Sequence, residues 1–169
     1  MFGMRLIPAA LLAAVFAVPA LVLARGNTSH FIDKLSCESG PYSLKLPKTY
    51  DELRKLGGLK TERLVREQEL GPYKARYVDL IFNGLRLGVV THSDDPEHYQ
   101  VTSAEIRSPQ WKIAGPFRTG QSLPPRVGDV ETRTLYGTAT VEFSGREDTV
   151  RVRLVRRRVS TLTYLCLAD

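Results

Sequence analysis

The sequence predicts an α+β fold, an antiparallel sheet built from hairpins with two short helices packed on one face. Three observations predict it. From Thr61 to Ser108 the pattern switches to a period of two, that of a half-buried strand. Asn83-Gly84 interrupts that run as a tight-turn dipeptide. Helix signals are confined to two short stretches, one opening at Thr49 and the other at Ser122.

The elements follow in order. Tyr42 to Leu46 alternates and reads as a short strand stopped by Pro47. Thr49-Tyr50-Asp51-Glu52 has capping-box form, with Leu53 and Leu56 on one helical face and Gly57-Gly58 as the stop. Glu62 to Leu70 is a strand, turned by Gly71-Pro72 into Tyr73 to Phe82. A two-residue turn at Asn83-Gly84 sets Phe82 opposite Leu85, Leu80 opposite Leu87 and Val78 opposite Val89. All six then share one buried face, leaving Tyr77, Asp79 and Arg86 on the other. A loop over Ser93 to His98 leads to a strand near Tyr99 to Arg107, and Pro109 to Leu123 is irregular. Ser122 can cap a second helix carrying Leu123, Val127 and Val130, with Gly137 as its stop. Thr138 to Ser144 and Thr149 to Val155 form a hairpin around Gly145 to Asp148. A three-residue turn at Arg156 to Arg158 leads into the last strand, Val159 to Leu167, and sets Leu154 opposite Ser160, Val152 opposite Leu162 and Val150 opposite Tyr164.

The two halves run alike. With an offset of 74, Gly71 falls on Gly145, Val78 on Val152, Leu80 on Leu154 and Leu85 on Val159. This suggests a tandem helix-plus-meander pseudo-repeat. The layout resembles the tandem modules of small exported bacterial inhibitor proteins, a likeness in element order alone that transfers no residue.

The start of the chain carries its own signal. Met1 to Arg5 bears one basic side chain, Leu6 to Ala24 has no charged residue, and Val22-Leu23-Ala24 offers a small residue for cleavage. Residues 1–24 therefore read as a cleavable signal peptide, with an uncleaved anchor as the alternative. Residues 25–40 read as a tether and residues 41–169 as one globular domain. Of the 24 basic side chains only Arg5 is lost on cleavage, against 18 acidic ones, so the mature chain carries +5. For an exported chain, envelope polymers, phospholipid head groups or an acidic protein are the anionic partners that balance favours. Nucleic acid and stable membrane insertion after cleavage are not expected. Cys37 and Cys166 are the only cysteines, and an oxidising compartment favours their pairing. Closing that loop of about 130 residues would stabilise the fold by roughly 4–5 kcal/mol.

Catalytic patterns do not stand out. A nucleophile elbow, phosphate loop and dinucleotide fingerprint are missing from the sequence, and no cofactor is expected. His92, Asp94 and His98 lie in a dense polar cluster but match no metal-binding spacing, so they are weak metal candidates. Trp111, the single tryptophan, sits on the irregular stretch with Tyr99, Lys112 and Phe117 nearby in sequence, either as a binding anchor or as a plug over the core. Arg151 and Arg153 alternate with Val150, Val152 and Leu154, giving one strand a basic face that Glu142 can partly neutralise. The expectation is a periplasmic or secreted, non-enzymatic binding module, of inhibitor or immunity type, that recognises another exported protein. A structural or assembly component of an envelope complex is the second reading. A hydrolase using dispersed carboxylates or a metal at His92 and His98 is the third.

Overall fold

A computed structural model describes residues 44, 46–111, 117–127, 130–132, 137–144 and 148–166. The expected signal segment, the tether, Cys37 and Lys112 lie outside the described residues. The described elements are helix α1 (Tyr50–Arg54) and strands β1 (Leu59–Leu70), β2 (Tyr73–Phe82), β3 (Leu85–His92), β4 (Asp95–Ile106), β5 (Arg126–Val127), β6 (Val130–Glu131), β7 (Thr138–Ser144), β8 (Asp148–Val155) and β9 (Arg158–Cys166). Seven of them form one sheet in the order β1-β2-β3-β4-β9-β8-β7, antiparallel at every step. Two meanders, β1-β2-β3 and β7-β8-β9, thus flank β4.

The β2–β3 hairpin has the expected register, with Phe82 opposite Leu85, Leu80 opposite Leu87 and Val78 opposite Val89. All six side chains are buried, because a two-residue turn and a two-residue period place them on the same face. Val141, Phe143, Val150, Val152, Leu154, Val159, Leu162 and Tyr164 extend that core across the second meander. Tight packing of this one face supplies most of the apolar burial.

Helix α1 closes the buried face over the first meander. Thr49 is its N-cap, its hydroxyl accepting from the Glu52 amide at 3.3 Å, as the capping pattern requires. Leu53 points inward and is fully buried. Glu62 of β1, opposite Leu80, accepts from the Tyr50 hydroxyl at 3.0 Å and from Arg54 Nε at 2.6 Å. On the other side the Tyr99 hydroxyl of β4 donates to the Pro47 carbonyl at 2.5 Å. The helix is therefore held from both β1 and β4.

Four expectations change. The second helix does not form among the described residues: Ser122 pairs with Arg158 in an isolated antiparallel bridge, and Val127 and Val130 pair in the β5–β6 ladder. Pro124, Pro125 and the β-branched valines favour extended backbone, and the Thr132 amide donates to the Pro125 carbonyl at 3.0 Å, which closes this small turn. The expected strand over Tyr42 to Leu46 is absent at Leu44 and Leu46, where the Leu46 amide instead turns back to the Leu44 carbonyl at 2.9 Å. The loop over Ser93 to His98 shrinks to a turn at Ser93-Asp94, since β4 already begins at Asp95. Ser93 fixes it, its hydroxyl accepting from the Lys74 amide and its own amide donating to the Lys74 carbonyl, both at 2.9 Å. Lastly, the β8–β9 turn uses two residues and not three. Val155 pairs with Arg158 and Leu154 with Val159, and a bulge at Ser160 then restores the expected Val152–Leu162 and Val150–Tyr164 pairs.

Candidate functional site

The residues singled out in the sequence are spread over three places. Phe117 belongs to the core: it is fully buried, with its ring 5.0 Å from Phe143, so it offers no surface to a partner. Its apolar ring gains more from that packing than a loop position could give it. Trp111 is half-buried over the end of the β2–β3 hairpin. Its ring meets Phe82 edge-on at 5.9 Å, and its Nε1–H donates to the Asn83 carbonyl at 2.7 Å. Gln110 donates to the same carbonyl at 2.6 Å. Trp111 is thus a latch on the Asn83-Gly84 turn, between the two roles the sequence left open. Tyr99 is engaged elsewhere, against Pro47 and Tyr50. Trp111 and Tyr99 therefore do not form one patch.

The polar cluster is also divided. His92 lies on the outer face of β3 opposite Ala75, with its ring edge-on to Tyr73 at 5.5 Å. Its Nδ1 is buried without a hydrogen-bond partner among the described residues. His98 sits on β4 and pairs with Asp95 at 2.7 Å, and that hydrogen bond with the carboxylate raises its pKa. Asp94 is exposed in the turn. Among the described residues, no group of three or more potential ligands is placed to hold a metal.

The outer face of the sheet carries a cross-strand run of charge. Asp79 of β2 is buried between two guanidiniums, Arg63 of β1 at 2.6 Å and Arg86 of β3 at 2.8 Å. Burial pushes its carboxyl up, but hydrogen bonds and charge from Arg86 and Arg63 outweigh that and hold it below the usual range. Farther along, Arg86 faces Glu105, Glu105 faces Thr163, Thr163 faces Arg151 and Arg151 faces Glu142. Arg151 donates to one Glu142 oxygen through Nε at 3.1 Å and Nη2 at 2.8 Å. The basic face expected at Arg151 is therefore locally neutralised, while Arg153 stands exposed two residues nearer the turn.

Two surface features were not singled out from the sequence. The first is β1, which forms one edge of the sheet and has ten of its twelve residues exposed. Leu64 and Val65 at its middle are 52% and 57% exposed. Opposite Tyr77, Arg66 stacks on the ring with its guanidinium carbon 4.1 Å from the centroid. A signal was available in composition: within Glu62 to Leu70 only Leu64, Val65 and Leu70 are apolar, too few for a core strand. The second is the Arg156-Arg157 turn. Both residues adopt positive φ, 50° and 64°, a conformation that side chains with a Cβ take only at a cost. The signal for this was the hairpin itself, because tight two-residue turns favour mirror-image geometry.

No protein-family model, curated protein or solved structure matches this chain.

Proposed function

We propose that the chain is an exported, non-enzymatic binding module, of inhibitor or immunity type, which recognises another exported protein in the periplasm or outside the cell. In this reading residues 1–24 are removed, residues 41–169 form the working domain, and Cys37 is bridged to Cys166. Cys166 ends β9 packed against the core, and no described cysteine is a free thiol, which supports the bridge.

The observation that carries the binding role is β1. A strand of twelve residues that buries almost none of them contributes little to the core, yet it presents a long open edge. Such an edge can take an extended segment of a partner as an added strand, with main-chain hydrogen bonds giving affinity and side chains giving selectivity. The strand discourages a second copy of itself. Glu62 and Glu67 face one side, opposite Leu80 and Arg76, and Arg63 and Arg66 face the other, opposite Asp79 and Tyr77, with Val65 as a bulged residue between them. A two-fold antiparallel pairing that matches these faces would put Glu62 against Glu67 and Arg63 against Arg66, and like charges directly opposite are destabilising. The edge therefore favours a partner of different sequence.

Affinity capture from an envelope extract, with the oxidised mature chain as bait, tests this. Capture of one exported protein by the wild type, and its loss with Leu64→Lys, is the expected result. Equal capture by both sinks the assignment to β1. For the bridge, alkylation of denatured, unreduced protein should leave both sulfurs unmodified.

A further inference from the structure

We propose that β7, the edge opposite β1, pairs with the β7 of a second copy of this chain. The pairing joins two seven-stranded sheets into one across a two-fold axis at Val141. It is independent of the β1 reading and leaves the β1 edge of each copy open.

The two edges of the sheet carry different residues. β1 bears charges on both faces and has two register irregularities against β2. β7 reads Thr-Ala-Thr-Val-Glu-Phe-Ser, and its register with β8 is unbroken from Thr138 to Ser144. Charge, proline and bulges are the devices that keep an edge strand from pairing with another chain. Of these β7 has only Glu142.

The ladder fixes which backbone groups of β7 are open. The Arg156 amide donates to the Gly137 carbonyl at 2.9 Å, so these two residues form a hydrogen-bonded pair. Such pairs alternate along an antiparallel ladder, so Ala139, Val141 and Phe143 also turn their backbone groups to β8. Thr138, Thr140, Glu142 and Ser144 turn theirs outward, and among the described residues no other element bonds to them. A two-fold axis at Val141 sets Thr138 against the second copy's Ser144, and Thr140 against the second copy's Glu142. All four open residues then face one another. A slip of one residue would set them against residues whose groups are already bonded to β8.

Charge fits the same register. Thr140 is opposite Arg153 and Glu142 is opposite Arg151 on the outer face. Across the axis the row runs Arg153, Thr140, then Glu142 and Arg151 of the second copy. Arg153 is exposed and has no ion pair among the described residues. It stands two strand spacings, roughly 10 Å, from the second copy's Glu142, with the short Thr140 between them. The two long side chains can meet over that gap. No like charges are opposed, in contrast to β1 paired with itself.

The test is sedimentation of the full mature chain from micromolar to millimolar concentration, with amide hydrogen exchange as the readout of register. A dimer whose Thr140 and Glu142 amides exchange slowly is expected. Thr140→Glu sets a carboxylate against the second copy's Glu142 on both sides of the axis and should weaken the dimer by about tenfold or more. Within one copy the new carboxylate lies opposite Arg153, so the fold is kept and the circular dichroism spectrum should not change. Thr140→Gln, of similar size and uncharged, should dimerise as the wild type does. A chain that stays monomeric with both amides exchanging freely overturns the proposal. So does a dimer that Thr140→Glu leaves intact, or one in which those amides are unprotected. A monomer in which they are protected would mean that the chain covers its own edge, and also overturns it.

Discussion

Two hairpin turns at matching places in the two meanders solve the same problem in opposite ways. At Asn83-Gly84 the backbone needs positive φ at one residue, and Gly84 supplies it at 71° with no Cβ to strain. The turn is then clamped from above by Trp111 and Gln110, which share the Asn83 carbonyl. At Arg156-Arg157 both residues are left-handed, neither is glycine, and the clamps are mostly main-chain hydrogen bonds from neighbouring loops. One turn is optimised for the fold. The other keeps two long cationic side chains at some expense to it. The difference shows that a two-residue turn can be secured by its own residue choice or by hydrogen bonds from the loops around it.

The largest expected effect lies at the first turn. A Cβ on Gly84 would meet Ser108 Cβ at 2.3 Å, in addition to the strain of a branched residue at that φ. Gly84→Val should therefore destabilise by about 3–5 kcal/mol in denaturant unfolding. A loss no larger than that of an exposed surface change would mean the two turns are equivalent after all.

Next comes Asp79, the buried carboxylate of the first meander, whose side chain is 6% exposed. Asp79→Asn should cost about 2–3 kcal/mol, because two guanidiniums lose the negative charge of their shared acceptor. The pH dependence has a definite sign. Its folded pKa lies below the unfolded value, so the contribution is complete at neutral pH and disappears as the pH falls below the ordinary carboxylate range. Midpoints of denaturation measured from neutral to strongly acid pH should converge for wild type and Asp79→Asn.

Trp111→Ala should cost about 2 kcal/mol, less than a fully buried tryptophan, since the ring is half-buried and one hydrogen bond goes with it. The smallest effect belongs to the second meander. Glu142, at 22% side-chain exposure, is paired with the largely exposed Arg151. Glu142→Gln should change stability by no more than about 1 kcal/mol, and less at high salt.

Much of this was readable in the chain itself. The β2–β3 register followed from Asn83-Gly84 and a strict two-residue period, and the α1 cap from Thr49 and Glu52, because those signals are local. The second helix was misread for the converse reason. The spacing of Leu123, Val127 and Val130 fits a helical face as well as it fits a loop that closes a ladder, and only the bridge from Ser122 to Arg158 decides between them. The Arg156–Arg158 turn was placed correctly but given one residue too many, since a three-residue turn and a two-residue turn with a bulge at Ser160 leave the same distant pairs. Phe117 looked like a surface aromatic because its burial against Phe143 depends on contact between residues far apart in sequence. The polar make-up of Glu62 to Leu70 marks β1 as a poor core strand, but its place at the edge needed the sheet order, which no local pattern contains.

The central claim is that the open edge of β1 binds an exported protein partner. Capture from an envelope extract by the wild type and by Val65→Lys tests it most directly. Val65 is bulged out of the β1–β2 ladder and exposed, so the substitution should leave the melting temperature unchanged. The account predicts one exported protein retained by the wild type and lost by Val65→Lys. The same protein held equally by both chains would contradict it.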